Sequence, residues 1–183
     1  TLRRELVEKS VTVVKNEENI LPLANLVGKR VAVVSIGAER KNDFNATMAH
    51  YGNFDHYVME KSPDYNRAMW WRDTLGTYDL IIAALVNSSN KPEKNFGITN
   101  ESLRILNSIG EERQVIVSML ANPYALSALK DLSNIDGLLV AYQDDPMTQI
   151  AVAEVITGAI GADGSLPVSA SAQFPAGAGY STP

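Results

Sequence analysis

Cysteine is absent from these 183 residues, so there is no disulfide framework, no thiolate nucleophile and no cysteine-based metal site. No apolar run approaches the roughly 20 residues needed to cross a bilayer, and no run of Lys or Arg is longer than two. With a net charge of −5, that scatter argues against nucleic acid or an anionic membrane as partner, since both reward clustered cations. No G-x-G-x-x-G and no G-x-x-x-x-G-K-[ST] occurs, which removes the common dinucleotide and phosphate cradles. Histidine is scarce: His50 and His56 lie outside the candidate loops and read as surface or packed residues. An initiator Met and a charged-then-apolar leader are also missing, so the chain is read as cut from a longer polypeptide.

What is present suits one globular domain: 45% of the residues are hydrophobic and 20% charged, enough for a full core. Leu2, Leu6, Val7, Val11, Val13 and Val14 predict a helix running from the N-terminus through Val14. RVAVVSIG (30–37), FDHYVME (54–60), YDLIIAALV (78–86), RQVIVSML (113–120) and DGLLVAY (136–142) predict strands, most of them apolar enough to be buried on both faces. Between them fall helices. One is capped at Asn42 or Asp43 and another opens at Ser62-Pro63. A third covers 100–109, a fourth starts at Asn122-Pro123 and carries Leu126, Leu129 and Leu132, and a fifth starts at Asp144-Asp145-Pro146 and ends at Gly158.

Alternation of this kind predicts an α/β fold, a three-layer αβα sandwich with a mostly parallel sheet of five or six strands. Near the end, GAIGADGSLPVS (158–169) packs three glycines, an Asp and a Pro into twelve positions before an apolar pair, Leu166 and Val168. Turn chemistry at 161–164 followed by SLPVSA predicts a sharp reversal into a strand near 165–170. Pro167 cannot donate to a ladder, so that strand is expected at an edge, or with its missing N–H pointed away from its neighbour. QFPAGAGYSTP (173–183) reads as a tail or linker.

In doubly wound sheets, ligands gather outside the carboxyl ends of the strands. Four loops fall there: 35–43, 87–99, 121–124 and 142–146. The second, NSSNKPEKNFGIT, is the longest, and loops of about a dozen residues are disproportionately functional. Glu93 within it is a candidate general acid, although Lys91 and Lys94 beside it favour its ionised form. Asp144 and Asp145 resemble a catalytic pair, but helix capping accounts for them. SIGAER carries a single Ser where a flavodoxin-type FMN phosphate loop wants several, so an FMN-binding module is kept as an alternative on fold analogy alone. No other cofactor and no metal is expected. Trp70 and Trp71 diverge by about 100° on a helix, so one should be core and the other exposed. Three N-x-[ST] triplets begin at Asn45, Asn87 and Asn100 and matter only in a glycosylating host.

Four segments taken together resemble a known family. VTVVKNEENILPL (11–23), GKRVAVVSIGA (28–38), RQVIVSMLANPYAL (113–126) and AYQDDPMTQIAVAEVITGAIGADGSLPVSAS (141–171) look like the C-terminal α/β-sandwich domain of family 3 glycoside hydrolases. GAIGADGSLPVS resembles that family's closing G-x-x-x-P-S-G-x-L-P-V pattern. The resemblance implies a division into residues 1–27, a helix and linker leaving a catalytic TIM barrel, then a sandwich domain over 28–172 and the tail over 173–183. It further implies a retaining exo-glycosidase, a carbohydrate substrate, and a nucleophilic Asp on the barrel, outside this chain. A bacterial protein that is periplasmic or secreted is the implied setting.

In the β-glucosidase branch, the acid/base Glu comes from the loop after the third strand, followed by an Asp-Arg region. Here that loop has Glu93 and no Asp-Arg. It looks instead like the β-N-acetylglucosaminidase branch, in which a barrel His moves the proton and the second domain only borders the site. On that resemblance the expected rim residues are Asn87, Ser88, Asn95 and Phe96, with Tyr124 and Gln143 beside them, and the chain alone is expected to be inactive.

Overall fold

The structure, a computed structural model, describes residues 2–183; Thr1, the first residue of the expected opening helix, lies outside them. A six-stranded sheet forms the middle layer in the order β1-β6-β5-β4-β2-β3. Its strands are β1 (Thr12–Asn16), β2 (Val31–Ile36), β3 (Asp55–Met59), β4 (Leu80–Leu85), β5 (Gln114–Leu120) and β6 (Gly137–Ala141). All neighbours pair in parallel except β1, which runs antiparallel to β6. The helices are α1 (Leu2–Ser10), α2 (Asp43–Tyr51), α3 (Tyr65–Leu75), α4 (Asn100–Gly110) and α5 (Pro146–Thr157).

The period of two in the strands divides the core. Ala32, Val34, Ile36, Ile81, Ala83 and Leu85 face one layer with Trp71 and Leu75 of α3 and Leu103, Leu106 and Ile109 of α4. Val31, Val33, Ile82 and Ala84 face the other, with Phe44 and Met48 of α2 and Val152, Val155 and Ile156 of α5. This is the three-layer α/β sandwich expected from the alternating pattern. α5 ends where expected, at Gly158, whose φ of 78° is the left-handed region a side chain would resist.

Three local expectations are corrected. The helix expected through Val14 stops at Ser10, and residues 12–16 join the sheet as β1. The β-branched run Val11 to Val14 suits a strand, and the open edge of β6 supplies the partner. The helix expected to carry Leu126, Leu129 and Leu132 is only a 3-10 turn over Pro123–Ala128. The three leucines are buried as expected, but only Leu126 lies within that turn, and Leu129, whose backbone is no longer helical, ends it.

No strand forms at 165–170. Leu166 bonds the segment behind it instead, its N–H to the Ala178 carbonyl at 2.9 Å and its own carbonyl to the Gly177 N–H at 2.7 Å. The edges belong to β1 and β3. The closing segment expected as a tail also packs: Phe174 and Thr182 are buried, and the Tyr180 N–H donates to the Val13 carbonyl beside β1 at 2.8 Å.

Candidate functional site

Because β2 to β6 are mutually parallel, the loops following them leave from one end of the sheet. The chain order reverses between β2 and β4, so a crevice is expected between their carboxyl ends. Here that crevice is closed. The Val86 N–H donates to the Ile36 carbonyl at 3.0 Å. The side chain of Lys61, from the loop after β3, crosses Gly37, whose φ is 93°. A Cβ at residue 37 would lie 2.5 Å from Lys61 Cε and 2.8 Å from the Val86 carbonyl oxygen. A cavity of about 10 Å³ remains beneath, lined by Lys61, Ser88, Gly97, Thr99 and Ser102 among others. That is room for one water at most.

The 87–99 loop is tied to two neighbouring loops and to the end of β5. The Asn87 N–H donates to Asp144 Oδ2 at 2.5 Å, joining it to the loop after β6. Lys61 Nζ donates to the Asn87 carbonyl at 2.5 Å. The Ser88 hydroxyl donates to the Leu120 carbonyl at 2.7 Å, at the end of β5. Asp144 is held from behind by Gln149 Nε2 at 2.8 Å. The Gln149 side-chain oxygen in turn accepts the Asp43 N–H at 3.1 Å, at the start of α2. Burial lowers the Lys61 pKa from its ordinary value, while the nearby Asp144 carboxylate pulls it back up.

The expected rim residues divide. Asn87 is exposed and left-handed at φ 55°, and Asn95 is exposed with its side-chain amide donating to the Ile98 carbonyl at 2.9 Å. Ser88 is half-buried, its hydroxyl already spent on Leu120. Tyr124 stands exposed on the 3-10 turn after β5, and Gln143 borders a groove of about 300 Å³ with Arg3, Leu6 and Tyr142. Phe96 is a correction: at 8% exposure its ring belongs to the hydrophobic core and anchors the loop from beneath. Glu93 sits exposed on the turn Pro92–Gly97, and no described residue bonds its carboxylate.

Asp145 is the N-cap of α5, its carboxylate accepting the Thr148 N–H at 3.0 Å, as the capping argument expects. Asp144 does different work, receiving the loop amide from across the sheet. Sequence reading also passes over Lys61, because it notes there only the helix start at the adjacent Ser62-Pro63. The signal available was its place, two residues beyond the end of β3, the edge strand beside β2. Among the described residues, no group of three His, Asp or Glu is arranged to hold a metal ion. No helix among them is long and apolar enough to cross a membrane.

Neither family models nor curated proteins show a match to the chain. Solved structures do. A family 3 glycoside hydrolase β-N-acetylglucosaminidase from Paenibacillus sp. str. FPU-7 matches 90% of this chain with a TM-score of 0.66 at 19% identity. A fungal multi-domain β-N-acetylglucosaminidase of the same family matches 87% with a TM-score of 0.63 at 22% identity. A β-glucosidase from Listeria innocua matches 94% with a TM-score of 0.67 at 14% identity. The chain spans only 31%, 18% and 26% of those proteins. At such identities the likeness is one of fold, and the fold is that of a part of family 3 glycoside hydrolase chains.

Proposed function

We propose that this chain is the second, non-catalytic domain of a retaining exo-glycosidase and borders the sugar site of a TIM-barrel domain in the same polypeptide. The observation that carries the reading is the convergence of the 87–99 loop with the loops after β3 and β6 and with the end of β5 at one sheet end. The fold match to part of family 3 glycoside hydrolases supports it. Asn87, Asn95, Tyr124 and Gln143 are exposed polar groups on or beside these loops, suited to hydroxyl and amide hydrogen bonds with a sugar rim. A β-N-acetylglucosaminide is the substrate class we favour, on the resemblance of the loop.

Glycosidases work with a pair of carboxyl or equivalent groups across the scissile bond. On this face Asp144 is committed to Asn87 and Gln149, and Glu93 is the one carboxylate of the 87–99 loop. The pure chain should therefore release no chromophore from nitrophenyl β-N-acetylglucosaminide or β-glucoside; robust turnover that a loop substitution abolishes would defeat the reading. The free carboxylate of Glu93 specifically favours one other version, a β-glucosidase-type domain that donates the acid/base. In the full polypeptide, Glu93→Ala should leave kcat nearly unchanged. A loss of about 10²–10⁴-fold with rescue by azide would assign the acid/base role to Glu93.

A further inference from the structure

We propose that Lys61 and Asp144 are positioning residues that clamp the 87–99 loop through the backbone of Asn87 and hold its rim in shape before anything docks there. Asn87 is the second residue past the end of β4, and its left-handed φ of 55° turns the chain out of the sheet. Both of its backbone groups are taken by charged partners from separate loops, the N–H by Asp144 and the carbonyl by Lys61. Charge-assisted bonds of this kind are about twice as strong as neutral ones.

Lys61 reaches the other end of the loop as well. Its own carbonyl accepts the Thr99 hydroxyl, so one residue grips the loop at its exit by side chain and at its return by backbone. Its stem can take that path because residue 37 is glycine. Asp144 is equally braced, through Gln149, to α5 and the start of α2.

The loop needs such a grip. Asn95, Phe96 and Gly97 are consecutive left-handed residues at φ 51°, 55° and 74°, and a bulky aromatic resists that region. Backbone of this kind persists only where its surroundings over-determine it. Inside the loop, the Ser89 N–H donates to the Phe96 carbonyl at 2.9 Å and the Phe96 N–H to the Lys91 carbonyl at 3.2 Å. These bonds curl the segment while the clamp fixes where the curl sits. Presetting a loop in this way removes ordering cost from whatever it later meets.

The clamp needs neither a sugar nor a second domain, so it stands or falls separately from the proposed function. The experiment is amide hydrogen exchange on the full chain, read at Ser89, Phe96 and Ile98 in the loop and at the β4 and β5 amides as reference. Lys61→Met keeps the stem and removes the ammonium; Asp144→Asn keeps the size and removes the charge. Each should speed loop exchange roughly tenfold or more while the reference amides hold their rates. Because both act through one residue, the double variant should be little worse than the more severe single. Lys61→Arg retains a cationic donor and should stay within about threefold of the parent. Unchanged loop exchange in both charge-removing variants overturns the proposal. So does equal loosening of the reference strands, or a Lys61→Arg chain as loose as Lys61→Met.

Discussion

Two donors converge on the Glu60 carboxylate just beyond β3: Arg67 Nε at 2.8 Å and the Trp71 indole N–H at 2.9 Å. The Arg67 bond is the main reason its pKa falls from 4.5 to about 2. A carboxylate with a lowered folded pKa contributes stability that is fully present above 4.5 and is lost as pH falls from there to about 2. Its side chain is more than a third exposed, so screening cuts the contribution to about 1 kcal/mol. Glu60→Gln should therefore lower stability by about that much at neutral pH and flatten the acid limb, read by urea unfolding followed by circular dichroism. At this scale the sequence was partly legible. Adjacent tryptophans had to diverge, and Trp71 is 2% exposed against 45% for Trp70. Phe96 was not legible, because a run of left-handed residues turns an apparently solvated loop position into the core. Nor does Asn45 keep its sequence-level meaning as a glycan acceptor: it is buried, and its side-chain oxygen accepts from Ser35 at 2.8 Å.

Capping and strand pairing act at the scale of the element. Asp145 caps α5 beside a Pro at the helix start, and Asp145→Ala should cost about 1 kcal/mol. In a domain of this size that is a fall of about 2–4 °C in Tm, which a thermal melt resolves. The exposed pair Arg3–Asp145, at 3.3 Å, adds little to that figure. β1 and α1 respond differently to truncation. α1 buries no residue, so deleting residues 2–10 should shift Tm by only a few degrees. Starting instead at residue 17 removes Val11 and Val13 from the core and leaves β6 with an open edge. That chain should aggregate or fail to unfold cooperatively, which light scattering during the melt would reveal. Strands buried on both faces were readable because near-continuous apolar runs admit few other states. β1 was not, since Val11, Val13 and Val14 also suit a helix until an edge in need of a partner decides the matter.

For the molecule as a whole, the strand reversal between β2 and β4 is where a flavin-binding relative of this architecture would place its ligand. Lys61 lies across that crevice and the Val86–Ile36 bond seals it. FMN should leave the melting temperature of the chain unchanged, and a saturable upward shift would revive the flavodoxin-like alternative. The loops converging at that end of the sheet are instead bonded to one another, which leaves an outward-facing rim rather than an enclosed pocket.

Composition and apolar period alone were enough to determine a helix-flanked parallel sheet and the set of loops at its carboxyl end, because burial on both faces demands continuous apolar strands and chain direction then dictates where the loops emerge. Only the tertiary structure decided which residues of those loops face outward, that Phe96 points inward, that residues 165–170 fold back on the closing segment, and that Lys61 and Asp144 meet at Asn87. The two residues stand 83 positions apart (144 − 61). Contacts between charges on separate loops leave no periodic trace along a chain; they exist once the sheet has fixed where each loop begins.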